Sequence, residues 1–323
     1  MNLLPRFLMG LLCSLIPLIA SAQAFPERPI RLIVPFPAGG PADSIARHLG
    51  KSISDTLKQP VAVENRAGAG GVIGLDMVAK AKPDGYTLGI GSIANLGINV
   101  SLMEKLPYDA RKDFTPISNG GMTTGIILAH ASMPFSDFAG MIAYARANPG
   151  KLAYATAGIG SVGHMVGLAI EQETGVQMTH IGYKGTGPAA QDLLAGAVPL
   201  FFETSLTTAI QHMGGGRIKL IAVTRKNRSR MLPDVAGMGE LGHPSIDSPA
   251  WFGLVGPANM PPDVLARLNE AVTASLKKPE TANIFAQFGA EPAPTTPLEF
   301  SAYIQQEIQR WSKVVKAANL PLQ

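Results

Sequence analysis

Short apolar runs alternate with amphipathic stretches along nearly the whole chain, and this alternation restricts the fold more than any other feature. Strands alternating with helices argue for α/β units built on sheets with parallel strands. Ile30 to Val34 reads as a buried strand, and Ile45, Leu49, Ile53 and Leu57 then recur every four residues on one helical face. Val61 to Glu64 is a second strand, Val72 to Ala81 a helix opened by a glycine-rich turn, and Tyr86 to Ile90 a third strand after the Pro83-Asp84-Gly85 turn.

The pattern then repeats. Strands are expected at Ile126 to Ala129, Leu152 to Ala155, Met178 to Ile181, Leu200 to Phe202, Ile218 to Thr224 and Trp251 to Val255. Helices are expected from an N-cap at Ser136 to about Asn148, over Val162 to Glu173, over Pro188 to Ala195, and from Val255 onward to the end. Phe300, Ile304, Ile308, Trp311 and Val315 form an apolar stripe suited to packing on the body of the protein. Length and the absence of a low-complexity linker point to two domains joined by strands, residues 25–125 plus 251–323 and residues 126–250.

Residues 1–24 read as a secretory leader. Arg6 is their only charge, Phe7 to Ala20 is an apolar run of 14 residues, and Ala22-Gln23-Ala24 fits a cleavage site after Ala24. The run is shorter than the roughly 20 residues a membrane span needs. Cys13, the only cysteine, lies inside the leader, and Gly10-Leu11-Leu12 before it fits a lipid-attachment box poorly. The mature chain thus has neither disulfide nor thiolate site, and its expected location is the periplasm. Without Arg6, 26 basic residues face 23 acidic ones, and no Lys/Arg run reaches five; Thr224 to Arg230 comes nearest. That density speaks against nucleic acid and is compatible with an anionic ligand.

The chemistry-bearing segments are loops between strands and helices. In Val34-Pro35-Phe36-Pro37-Ala38-Gly39-Gly40-Pro41-Ala42-Asp43 a strand ends and a helix begins, with Pro41 suited to its first turn. Side-chain-free glycines let an anion reach the open N–H groups of a helix start, where the dipole also favours negative charge. Asp43 suits ordering of that turn rather than contact with an anion. A plain tight turn is the other reading, although it needs one glycine and explains neither the second nor the flanking prolines.

The segment Tyr154 to His164 carries a literal G-x-G-x-x-G at Gly158, Gly160 and Gly163. A dinucleotide site needs an acidic residue about 20 positions on to hold a ribose, and that stretch reads Thr179-His180-Ile181-Gly182. Backbone amides with the Thr156 and Ser161 hydroxyls fit a second polar contact better. Tyr183 to Pro188, the strand end Phe202-Glu203-Thr204-Ser205, and Ser92 with Asn95 fall in similar places. Ligands of open α/β sheets sit beyond the carboxyl ends of the strands. The candidate ligand-binding set is therefore Ala38, Gly39, Gly40, Asp43, Ser92, Asn95, Thr156, Gly158, Ser161, His164, Gly185, Thr186 and Glu203. No Gly-x-Ser-x-Gly elbow and no H-E-x-x-H spacing occurs, and Ser275-Leu276-Lys277-Lys278 has no companion motif, so no catalytic residue, metal or cofactor is expected.

Several stretches resemble one family: Arg31 to Gly40 with Asp43 and Ala46-Arg47, Val63-Glu64-Asn65-Arg66 with Gly68 to Gly71, Pro83 to Leu88, Tyr183-Lys184-Gly185, Ala222-Val223-Thr224, and Leu232 to Val235. The chain resembles the Bug group, the extracytoplasmic substrate-binding proteins of tripartite tricarboxylate transporters. The resemblance implies a type II periplasmic-binding-protein (Venus flytrap) fold with the ligand in a cleft between two domains. It implies a small carboxylate (a dicarboxylate, acidic amino acid or aromatic acid) held at Ala38, Gly39, Gly40 and Asp43, and a second polar contact at the Thr156 to Ser161 loop. Membrane subunits of a tripartite transporter would be the partners of a monomeric protein, and a sensor feeding a membrane receptor would use the same clamp. Where relatives often carry a strand-end Asp, this chain has Glu203, so a relative's ligand does not transfer directly. A secreted enzyme is the reading from another class, and it lacks a motif.

Overall fold

The computed structural model describes residues 25–318, 320 and 322. The expected leader, its cleavage after Ala24 and Cys13 lie outside the described residues. Two mixed α/β layers make up the fold, the first built from both ends of the chain and the second inserted between them. The strands are β1 (Ile30–Val34), β2 (Val61–Asn65), β3 (Thr87–Ser92), β4 (Phe114–Thr123), β5 (Ile126–His130), β6 (Ala153–Thr156), β7 (Thr179–Gly182), β8 (Leu200–Glu203), β9 (Ile218–Val223), β10 (Ala250–Pro257) and β11 (Ala290–Pro292). The helices are α1 (Pro41–Leu57), α2 (Val72–Ala79), α3 (Asn99–Leu102), α4 (Phe138–Ala147), α5 (Val162–Thr174), α6 (Thr186–Ala195), α7 (Thr207–His212), α8 (Pro262–Leu276), α9 (Pro279–Ala286) and α10 (Pro297–Ala317).

The first sheet has the order β11-β4-β10-β3-β1-β2 and the second β7-β6-β8-β5-β9. Strand β1 runs parallel to β2 and β3, while β10 pairs antiparallel with β3 and β4. In the second sheet β6 is parallel to β7 and β8, and β5 is antiparallel to β8 and β9. The chain passes from the first sheet to the second between Thr123 and Ile126, and returns between Val223 and Ala250. Both crossings leave a strand of one sheet for a strand of the other.

The first βα unit shows how the sequence forces the layers. Ile30, Leu32 and Val34 are buried under Ile45, Leu49 and Ile53, which give one face of α1 with no exposure, while Ile33 on the other face of β1 packs with Val72, Leu75 and Val78 of α2. Pro41 opens α1 with its ring-fixed φ, and Lys58 closes it in the left-handed region. The C-terminal α10 buries Phe300, Ile304, Ile308, Trp311 and Val315, and its start is a capping box between Thr296 and Glu299. This helix also reaches the second layer: the Gln172 amide of α5 donates to the Val314 carbonyl at 3.1 Å. No described helix is long and apolar enough to cross a membrane.

Three expectations need correction. The N-cap of α4 is Asp137, whose carboxylate accepts from the Gly140 N–H at 2.8 Å, rather than Ser136. Segment 114–123, for which no strand was expected, is β4, the longest strand described, and a short β11 interrupts the expected run of helices toward the end. Pro116 hides β4 in the sequence. It sits beside a register shift against β10, where a residue without an N–H does no damage to the ladder.

Candidate functional site

The turn between β1 and α1 is built around Asp43. Its Oδ2 accepts from the Gly39 N–H at 3.0 Å and from Arg47 Nε at 2.9 Å, and its Oδ1 accepts from Asn65 Nδ2 at 2.9 Å. Burial works to raise this carboxyl, but Arg47, the Gly39 N–H and the Asn65 amide outweigh it and hold Asp43 below the usual carboxylate range. Asp43 therefore stays ionised behind the turn and shapes it. Gly39 lies at φ +89°, a region open to glycine and strained for other residues. Gly40 is the N-cap of α1 and offers no side-chain cap. The N–H groups of Gly40, Ala42 and Asp43 find no hydrogen-bond acceptor among the described residues.

Gly40 and Ala42 line a cleft between the two sheets. One cavity of about 450 Å³ is walled by Gly39, Gly40 and Pro41 from one layer and by Thr186, Glu203 and Thr208 from the other. A second of about 490 Å³ is walled by Phe36, Ala38 and Ser92 on one side and Ser161, Val162 and Gly185 on the other. Gly40, Pro41, Thr186, Thr204 and Phe252 belong to both walls, so the two cavities are compartments of one cleft meeting at the start of α1. The compartments differ in character. The first carries the hydroxyls of Thr186, Ser205, Thr207 and Thr208, and the second carries Phe36, Ile93, Val162 and Phe252. Phe36 and Phe252 meet edge to face with centroids 6.0 Å apart.

Of the residues singled out in the sequence, the structure brings Ala38, Gly39, Gly40, Ser92, Ser161, Gly185, Thr186 and Glu203 to these walls. Asp43, Asn95, Thr156, Gly158 and His164 are not part of them and stand behind the loops. Asn95 closes a reciprocal cap with Ser92, its Oδ1 accepting from the Ser92 N–H at 2.8 Å. Thr156 Oγ1 lies 2.7 Å from His180 Nε2 and accepts from the Gly158 N–H at 3.2 Å. Ser161 caps α5 by accepting from the His164 N–H at 3.3 Å. Wall residues not singled out include Gln191, Thr207, Thr208 and Phe252. Thr208 has a weak signal in its place at the start of the helix that follows a strand-end carboxylate; Phe252 has none, because it reads as one more apolar strand residue.

Beneath the Gly158 to Ser161 loop, the His164 and His180 rings stack with centroids 3.8 Å apart at 18°. Burial, and then the neighbouring His180, push His164 down to about 4, and burial lowers His180 as well. Both rings are neutral at neutral pH. A folded-state value below the ordinary 6.5 means that the unfolded chain binds more protons in acid. The contribution of His164 is then complete above about pH 6.5 and is lost as the pH drops toward 4. The expected loss for His164 alone is about 2 kcal/mol between pH 7.5 and pH 5. Glu203, raised to about 7, works in the opposite direction over the same window, so the check is a difference: in denaturant titrations at the two pH values, a His164→Gln variant should lose about 2 kcal/mol less on acidification than the wild type.

Glu203 ends β8 at the wall of the first compartment with only 3% of its surface exposed. Its carboxylate accepts from Ser205 Oγ at 3.0 Å and from the Thr208 N–H at 3.2 Å. Burial pushes it up to about 7 against those hydrogen bonds. No group of three or more His, Cys, Asp or Glu side chains among the described residues could hold a metal ion.

The profile of the "Tripartite tricarboxylate transporter family receptor" family matches residues 45–320. Protein BugT of Bordetella pertussis is 37% identical over 303 residues, covering 94% of this chain and 93% of its own. Among solved structures, the periplasmic binding protein BugD superposes with a TM-score of 0.77 at 34% identity, over 93% of this chain and all of its own. MatC of Rhodopseudomonas palustris, solved with bound malate, gives 0.76 at 34% identity over 90% of this chain and 100% of its own. An R. palustris protein solved with adipate gives 0.81 at 32% identity, covering 91% and 98%. The two-domain α/β architecture is that of these periplasmic binding proteins. A match over so much of the chain, by sequence and by fold, makes this chain a member of the tripartite tricarboxylate transporter receptor family.

Proposed function

We propose that the protein is a non-enzymatic, periplasmic solute-binding protein that clamps a small carboxylate between its two lobes for membrane subunits of a tripartite transporter. The lobes in this reading are residues 25–125 plus 251–323 and residues 126–250, and the mature monomer begins after Ala24. The observation that carries the proposal is the convergence of the α1 and α6 helix starts on one cleft, Gly40 and Thr186 both lining each compartment. Open N–H groups at a helix start, backed by its dipole, are suited to a carboxylate without any Lys or Arg. The ligands in the solved relatives, malate and adipate, are of that chemistry. Closure about the two strand crossings would bury the ligand and present the closed face to the transporter.

Isothermal calorimetry with a panel of short dicarboxylates, acidic amino acids and aromatic acids is expected to find at least one tight ligand. Sugars and simple cations are expected to give no heat. Binding confined to those neutral or cationic probes would end the carboxylate reading.

A further inference from the structure

The walls of the cleft hold no lysine or arginine in either compartment, and their two titratable side chains are Glu203 and His212. The charged groups of the first turns of α1 are already matched to each other, Asp43 with Arg47 at 2.9 Å, and neither lines the cleft. The other first-compartment wall residues are glycines, hydroxyls, amides and apolar groups, with Thr123 from β4, Gln191 from α6, Gln211 and His212 from α7, and Phe252 from β10. Glu203 thus meets the ligand space with no lysine or arginine beside it, His212 of α7 being the one other titratable side chain of these walls. A ligand placing a second carboxylate there would set two anions together in a partly dry site with nothing to separate them. A hydroxyl or amine would instead give the Glu203 oxygens a hydrogen bond that Ser205 and Thr208 leave room for, since each oxygen can accept more than one. The neighbouring compartment, floored by Phe36, Ile93, Val162 and Phe252, accepts hydrocarbon.

We infer that Glu203 is the specificity-determining residue of the cleft, and that the ligand is an acid with an apolar body presenting a hydroxyl or amine, rather than a second carboxylate, to that side chain. The inference rests on the carboxylate-clamp reading above. It divides the ligand in three: a carboxylate at the junction where Gly40 and Thr186 meet, a hydrocarbon arm toward Phe36 and Phe252, and a hydrogen-bond donor toward Glu203. Because burial raises Glu203 to about 7, its preference is also set by pH. Above that value the ionised form rejects a diacid; below it the protonated form tolerates one.

The test uses two matched sets of acids, differing only in the group on the carbon beside the carboxylate. The first is phenylalanine, phenyllactate, hydrocinnamate and benzylmalonate; the second is leucine, its hydroxy-acid analogue and isobutylmalonate. Calorimetry at pH 8 on the full mature chain is expected to rank the amino or hydroxy acid at least about tenfold tighter than the diacid of the same set. The diacid should gain roughly tenfold between pH 8 and pH 6, following the protonated fraction of a group near 7. In Glu203→Gln that gain should shrink to the diacid's own titration, and the preference at pH 8 should fall toward unity. A diacid bound as tightly as its hydroxy analogue at pH 8 in the wild type overturns the inference, as does an unchanged ratio in a folded Glu203→Gln. In either case the clamp reading survives, since acids still bind. If no acid of either set or of the wider panel binds, the clamp reading falls and this inference with it.

Discussion

Gly39→Val is expected to weaken carboxylate binding by at least about a hundredfold while the protein stays folded. A Cβ at this position would meet nothing within 4 Å, so no clash forces the loop apart. The cost is conformational: φ +89° is closed to a β-branched residue, and holding one there costs about 1–3 kcal/mol. The loop can escape by rotating the Ala38–Gly39 unit, and that breaks the 3.0 Å bond from the Gly39 N–H to Asp43. Asp43 itself remains pinned by Arg47 and Asn65, so α1 keeps its place while the approach to its first amides changes. About 2.7 kcal/mol corresponds to a hundredfold in affinity, which matches the strain a ligand would have to reverse. Calorimetry gives the affinity, and a thermal melt lowered by no more than a few degrees shows that the fold has survived. Unchanged affinity would remove this turn from the binding site.

How much of the fold is legible in the sequence depends on where a residue's role is decided. The β1 turn is legible because its signals are local: a strand, two glycines, Pro41 at the first helical position and an acidic residue, Asp43, two further on. The boundary at Phe138 was mistaken by one residue because Ser136 and Asp137 are both good caps, and only the Gly140 N–H decides between them. Strand β4 was not legible because its composition answers to neighbours distant in sequence. Gly120 and Gly121 carry no strand signal, yet a Cβ on the first would lie 2.8 Å from Leu49 of α1 and on the second 2.8 Å from Phe285 of α9. They are glycines because two helices press on the strand.

The candidate site divides in the same way. Glu203 and the loop residues were found from their position at strand ends, a rule of topology that needs no contact. Thr156 and His164 were expected at the ligand for the same reason. The structure instead gives them to the support of the loop, through His180, which sits 24 residues after Thr156, faces Tyr154 in the β6–β7 register and reaches the Thr156 hydroxyl with its ring. Nothing local in the sequence announces that second row.

Gly163→Ala is expected to destabilise the protein by about 3 kcal/mol, although it adds only one methyl group. The third glycine of the literal G-x-G-x-x-G serves packing here. A Cβ at Gly163 would lie 2.1 Å from the carbonyl oxygen of Phe202, a backbone atom of β8 that no rotamer change can move. Helix α5 must therefore lift from the sheet, loosening Met165, Val166 and Ile170, all buried against it. The same displacement reaches the cleft, because Phe202 precedes Glu203 and Ser161 lies two residues before the glycine. Affinity and stability should fall together, with a melting temperature lower by about 10 °C for a domain of this size. Gly214→Ala, where a Cβ meets nothing within 4 Å and φ is not in the left-handed region, should change stability by less than about 0.5 kcal/mol. Equal melts for the two variants would mean that α5 does not bear on β8 as closely as its glycine requires.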